Sequence, residues 1–539
     1  MKIAAVLSML HEPQGRPDSA TRRFRGEAPL AWTLYRLGRS RGIAESVVIC
    51  WEDQADAVRP IVDEMKARCL PPWPRCPLPH LDGVSAARRW ADGWRGGLLE
   101  TCEFDRGFHG PRTKEILAES EADAVMLIDP SAGLVDPDLI DALIEHAEAH
   151  PEVDLCFSQA APGLSGVLLR KPLVEQLAAG GSHPGTLLAY RPDLPMRDPI
   201  SAPSCAPVAT GLARTPHRFT LDCERQIDRI AGATVHLNGQ LIRTEAEQLL
   251  RLLDATPAAC ALPRELVLEL TVRRVSRPIF SPVSHAKIER ADLTLEIAKT
   301  VFEEMAAADD ARIVLAGIGD PVLHPEFSAI VRCAHEAGIA AIAVESDLLG
   351  LDPEQIERLA DLPLDVVSVN LPAISAKTYQ TIMGMDGLKQ AMDAVARLIH
   401  RRQSGARGAP LIVPTFVKAA ENLAEMEAWY DRWLRCLGCA VIAGPGDFAG
   451  QVPDVSLAQM EPPRRRGCLR IERRLTVLCD GQVVSCEQDF LARAALGRIG
   501  RNSIEGIWTA GMAALRRDHA GGRWQRQALC RACKDWHRP

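Results

Sequence analysis

Leu266-Val267-Leu268-Glu269-Leu270-Thr271, followed by Val272-Arg273-Arg274-Val275-Ser276-Arg277-Pro278-Ile279-Phe280-Ser281, sets the frame for this chain. A short, largely apolar run closed by a polar, Pro-containing loop reads as a buried strand that delivers a loop. The same unit recurs downstream. Apolar, β-branched runs stand at 312–316, 340–345, 365–370, 411–417 and 440–443, and helical patterns separate them at 294–307, 325–337, 353–360, 387–400 and 423–437. Strands alternating with helices make parallel βα units, and six such units predict a partial (βα)6 TIM-type barrel over residues 262–455. In barrels of this kind, function gathers on the loops that follow the strands.

Downstream of the barrel, residues 460–539 are rich in Arg and Cys and short of long periodic runs. Of the 16 Cys in the chain, five fall in the last 72 residues. The single Cys upstream (50, 69, 76, 102, 156, 205, 223, 260 and 333) read as small buried hydrophobes. Here, in contrast, Leu475–Cys479 and Gln482–Cys486 flank Asp480-Gly481, a type I′ hairpin signal, and Cys530-Arg531-Ala532-Cys533 lies near the end. Cys468, Cys486, Cys530 and Cys533 are the candidate metal ligands, because four thiolates suit an iron–sulfur cluster or a zinc ion. Such a centre would help hold together a region too small to bury much apolar surface. Cys479 is left out of the set. Cys436-Leu437-Gly438-Cys439 reads as a helix end with Gly438 as its stop signal.

Upstream of the barrel, residues 1–240 read as an α/β region. Strands are expected at 2–7, 46–51 and 124–128, a polar Arg-rich loop at 17–26, and helices at 30–39 and 137–149, the last capped by Asp136. This pattern predicts a largely parallel sheet with ligands at the carboxyl ends of its strands, where the 17–26 loop and Asp129 fall.

The composition narrows the function classes. A net charge of −7 and 5% aromatic residues give no footing for a nucleic-acid partner. No apolar run of about 18 residues is present, so no membrane span is expected. The apolar start Met1–Leu7 is too short for a signal peptide. A cytoplasmic protein with reduced thiols is expected.

These stretches together resemble a known superfamily. Residues 266–271, Leu315-Ala316-Gly317-Ile318-Gly319-Asp320-Pro321, 344–347, Val367-Ser368-Val369-Asn370-Leu371 and 413–453 are similar to the radical S-adenosylmethionine (radical SAM) enzymes, the last stretch to the narrower spiro-SPASM group. The C-terminal pattern, twelve residues from Cys468 to Gly481, four from there to Cys486, then Cys530-Arg531-Ala532-Cys533 with Trp536 trailing, resembles a SPASM domain in its shortened twitch form. Ser19–Arg25, Leu134–Ile140 and Arg218–Asp222 resemble the nucleotide-sugar cytidylyltransferases.

The resemblance implies a three-part α/β architecture: an N-terminal Rossmann-like nucleotidyltransferase (GT-A-like) domain, the partial barrel, and a Cys-rich domain over 460–539 with one auxiliary [4Fe–4S] cluster. Zinc is the alternative occupant. It also implies that Gly319 and Asp320 stand where the family binds the cofactor amine. The family's three cluster ligands, spaced C-x₃-C-x₂-C, fall at Arg274, Pro278 and Ser281, none of which offers a thiolate. Glu27 stands where the cytidylyltransferases carry a triphosphate-binding Lys, and Asp129 where they hold Mg²⁺. The expected protein is therefore a radical SAM/SPASM relative that binds one auxiliary cluster and does not cleave S-adenosylmethionine. The alternatives are an active radical SAM maturase or sugar-nucleotide nucleotidyltransferase, and a zinc- or cluster-stapled scaffold. A peptide, protein or nucleotide-sugar partner is expected.

Overall fold

The computed structural model describes all residues except 13, 92–100, 189–191, 194–201, 257–259, 459–460 and 539. The chain forms two compact units, Met1–Ala259 and Cys260–Pro539.

The first unit is built on a seven-stranded sheet: β1 (Ile3–Ser8), β2 (Glu45–Ile49), β3 (Arg68–Cys69), β4 (Ala124–Ile128), β5 (Leu155–Ser158), β6 (Val167–Arg170) and β7 (Cys205–Ala206). Their order is β3-β2-β1-β4-β6-β5-β7. Every residue of β1 is buried, as expected of a central strand covered on both faces. It runs parallel to β2 and β4, with Val6 beside Val47 on one side and Leu127 on the other. The sheet departs from the parallel expectation at one strand, since β6 lies antiparallel between β4 and β5. The helix Pro137–Ala149 starts where its cap predicts. The Asp136 carboxylate accepts from Asp138 N at 3.0 Å, and also from Ala246 N at 2.7 Å, which ties in the helix Ala246–Ala255.

The second unit carries the six expected parallel strands: β8 (Glu265–Leu268), β9 (Arg312–Leu315), β10 (Ala341–Ser346), β11 (Val366–Asn370), β12 (Leu411–Val417) and β13 (Val441–Ala443). A partial barrel leaves both outer strands with unpaired backbone groups. At β8 that edge is filled from far along the chain. β14 (Arg474–Val477) pairs parallel to β8 with Thr476 beside Val267, and β15 (Gln482–Val484) and β16 (Gly497–Arg498) continue the sheet antiparallel. The result is one nine-stranded sheet, β13-β12-β11-β10-β9-β8-β14-β15-β16. Its apolar core is continuous from Leu266 and Phe302 to Leu475, Ile504 and Trp508.

The 478–482 hairpin forms, but by a different turn from the one expected. Gly481 takes φ +82° while Asp480 does not take positive φ, which excludes type I′. Gly481 N donates to Leu478 O and Leu478 N to Gln482 O, both at 2.8 Å. This is the arrangement of a three-residue loop closed by a left-handed glycine bulge.

Candidate iron–sulfur centre and the barrel mouth

At the mouth of the barrel, the loop after β8 keeps a fixed backbone. Arg277 N donates to Met383 O (2.8 Å), Ile279 N to Ile382 O (2.9 Å), and Ser281 N to Pro278 O (2.9 Å). Its side chains build an ion pair. The Arg274 guanidinium reaches Asp347 through Nε (2.9 Å) and Nη2 (2.5 Å), with the two side chains 10% and 1% exposed. Asp347 also accepts from the Ser276 hydroxyl and from Asn370 Nδ2 at 2.9 Å. An Arg–carboxylate fork of this kind is strong, and its charge is internally balanced. His285 is engaged by the protein itself: its Nε2 donates to Ile279 O at 2.8 Å.

Gly319 is required by space. A Cβ there would lie 2.1 Å from Thr271 O. Asp320 is buried, and its oxygens are engaged locally: Val322 N at 3.3 Å, Ser346 Oγ at 3.0 Å and Asp347 N at 2.9 Å. Burial, and then the charge of Asp347, push its carboxyl up to about 7. The Tyr379 hydroxyl beside this network is buried without a hydrogen-bond partner.

The C-terminal cysteines sit differently. Cys468 follows the Arg464-Arg465-Arg466 run, and its N–H donates to His519 Nδ1 at 3.2 Å. Cys486 lies two residues beyond β15, and Cys530 and Cys533 flank the end of the short helix Ala528–Ala532. Burial pushes the Cys530 thiol up to about 12 and the Cys533 thiol up to about 11, and raises Cys486 as well. The charge of Cys468 adds to all three shifts. Arg465 acts in the opposite direction on Cys530 and Cys533, and Arg470 on Cys486. Among the described residues, no three His, Cys, Asp or Glu side chains are gathered as a single metal ion would require. Cys479 is buried and faces the barrel, its N–H 3.4 Å from Glu269 Oε1.

Two features escaped the sequence reading. Asp347 is the partner of Arg274, a pairing between residues on separate loops that no local pattern announces. Arg465 is the member of its Arg triplet that turns inward, donating to Cys530 O (2.7 Å) and Cys533 O (3.4 Å). Burial within a run of identical residues has no signature in the sequence.

In the first unit, Asp129 caps its own turn, accepting from Ser131 N (2.8 Å) and Ser131 Oγ (2.6 Å). It lines a cavity of about 50 Å³ with Glu103, Arg106, Ser158 and Ser165. The arginines of the 17–26 loop bind the protein itself: Arg22 pairs with Glu224 at 2.9 Å, Arg23 donates to Ala20 O at 2.9 Å, and Arg25 reaches Thr234. Glu27 is exposed.

Residues 276–415 match the family model of the radical SAM superfamily, and 468–534 match that of an iron–sulfur cluster-binding domain of SPASM type. The second unit is therefore a radical SAM superfamily domain joined to an iron–sulfur cluster-binding domain. An uncharacterized protein of Treponema pallidum is 25% identical over 314 residues, 54% of this chain and 84% of its own. The PqqA peptide cyclase of Ruegeria pomeroyi is 31% identical over 126 residues, 23% of this chain and 32% of its own. The relatives that carry a functional name are each matched over less than half of their length. A cytidylyltransferase structure from Leptospira borgpetersenii superposes with a TM-score of 0.33 at 12% identity, over 48% of this chain and 98% of its own. Among the described residues, no helix is long and apolar enough to cross a membrane.

Proposed function

We propose that this chain holds one [4Fe–4S] cluster through Cys468, Cys486, Cys530 and Cys533, and that its barrel does not cleave S-adenosylmethionine. The observation that carries the reading is the buried Arg274–Asp347 pair at the position where the family resemblance calls for a thiolate. Arg, Pro and Ser at the three ligand positions do not fit a cluster, and the charge of Arg274 is already balanced by Asp347. The four C-terminal cysteines offer the thiolates that a cluster takes, within a stretch that matches a cluster-binding family model. Bound there, a cluster would store and pass one electron.

Gly319 and Asp320 serve the βα turn, and they are the positions at which the barrel would meet the amine of S-adenosylmethionine if it still binds that cofactor. The relative named as a peptide cyclase points to a peptide as the class of partner. The 1–240 region is read as a nucleotidyltransferase-like module whose loop is closed on its own arginines, the barrel as 262–455 and the cluster domain as 460–539, the boundary at 460 lying outside the described residues. Free thiols suit a reducing compartment such as the cytoplasm.

Elemental and sulfide analysis of anaerobically purified protein tests the reading: about four irons and four sulfides per chain are expected. Incubation with S-adenosylmethionine and dithionite should give no 5′-deoxyadenosine. Iron near twice that content, formation of 5′-deoxyadenosine, or zinc in place of iron would each reject it.

A further inference from the structure

Arg465 is a half-buried cation with no carboxylate within ion-pair reach among the described residues. Sheltering a guanidinium from water carries a cost unless something compensates it. Part of the compensation is visible. Its fork donates to the carbonyls of Cys530 and Cys533, and its charge lies 5.1 Å from the Trp524 ring and 5.8 Å from the Trp536 ring. The remainder is missing, because the Arg465 Nε–H is shut off from water without an acceptor. A second orphan lies close by. His519 is 4% exposed, its Nδ1 accepts from Cys468 N, and its Nε2 is buried with no partner. With Nδ1 accepting, a neutral imidazole carries its proton on Nε2. Two N–H donors in search of acceptors thus surround the Cys468, Cys530 and Cys533 segments.

Arg470 offers the contrast. It stands on the Cys486 side of the quartet, but Glu487 pairs with it and offsets its charge. Arg465 has no such offset. Donors and positive charge beside cluster sulfur favour the more negative, reduced state and raise the potential.

We propose that Arg465 is the positioning residue of this centre: its fork fixes the Cys530–Cys533 loop through the two carbonyls, and its uncompensated charge raises the cluster's reduction potential. This rests on the cluster reading above. The test is an electron paramagnetic resonance redox titration of the reconstituted full-length protein, together with the rate of iron loss to a ferrous chelator. R465M should titrate at a more negative potential and lose iron about tenfold faster. R465K, which keeps the charge but not the fork, should titrate close to the parent while still losing iron faster. R464M and R466M, at exposed positions, should match the parent in both. An unchanged potential in R465M overturns the proposal, as does an equal shift in R464M. If R465M retains no cluster, R465Q takes its place in the titration under the same criteria. Protein that carries zinc, or no iron at all before any substitution, rejects the cluster reading itself and is recognised before the variants are made.

Discussion

The loop after β8 and the tail around Cys468 are two places where the superfamily resemblance expects sulfur on metal, and they have parted ways. At the barrel mouth a guanidinium pairs with a buried carboxylate, and the neighbouring polar groups, Ser276, Asn370 and Asp320, turn toward that pair. In the tail the thiols remain, with arginine charge beside them and donors left without acceptors. The difference teaches that a charge-balanced pair of side chains can fill the interior of this loop while its backbone stays anchored. The backbone of the loop is still pinned to residues 382–383, and Gly319 is still required by Thr271.

The comparison can be broken most directly in the tail. Cys530→Ser should abolish nearly all bound iron while leaving the barrel folded, as read by iron content and far-ultraviolet circular dichroism. Iron that stays at the parental level would mean that the tail is not the site. At the mouth, Asp347→Ala strands Arg274 and should destabilise the second unit by about 3–5 kcal/mol in denaturant unfolding. Arg274→Met with Asp347→Leu, which removes both charges, should lie within about 1–2 kcal/mol of the parent. Neither change should alter iron content. The smallest effect expected is on pH dependence. Asp320 titrates near 7 in the fold against 3.8 in the unfolded chain, so the folded state binds the extra proton between these values. Its contribution to stability is therefore complete below about pH 4 and is lost as pH rises through 7. Asp320→Asn should flatten the stability profile over that window, and an unchanged slope would place the titration elsewhere.

Much of this was legible in the chain itself. The six apolar runs each became a strand; inner ones such as β10 are apolar because the sheet buries them, while β13 at the edge is largely exposed. The helix at 137–149 was readable from Asp136 and Pro137, since capping is a local interaction. The pairing of Arg274 with Asp347 was not, because it depends on two loops being brought side by side by different strands. The Asp480-Gly481 turn was read one type away from its actual geometry: the dipeptide permits positive φ at both residues, but the hairpin register requires it only at Gly481. The antiparallel β6 also went unseen, since strand direction leaves no periodic mark. Nor did the sequence reveal that the tail would supply a strand to the barrel.

That shared strand bears on how the molecule is made. Cys479 N meets Glu269 across 210 positions of chain, so the edge of β8 stays bare until β14 has been made and has emerged from the ribosome. For that interval the nascent protein exposes an open, apolar ladder to its surroundings, and it depends on timing or on chaperones to avoid pairing with a neighbour.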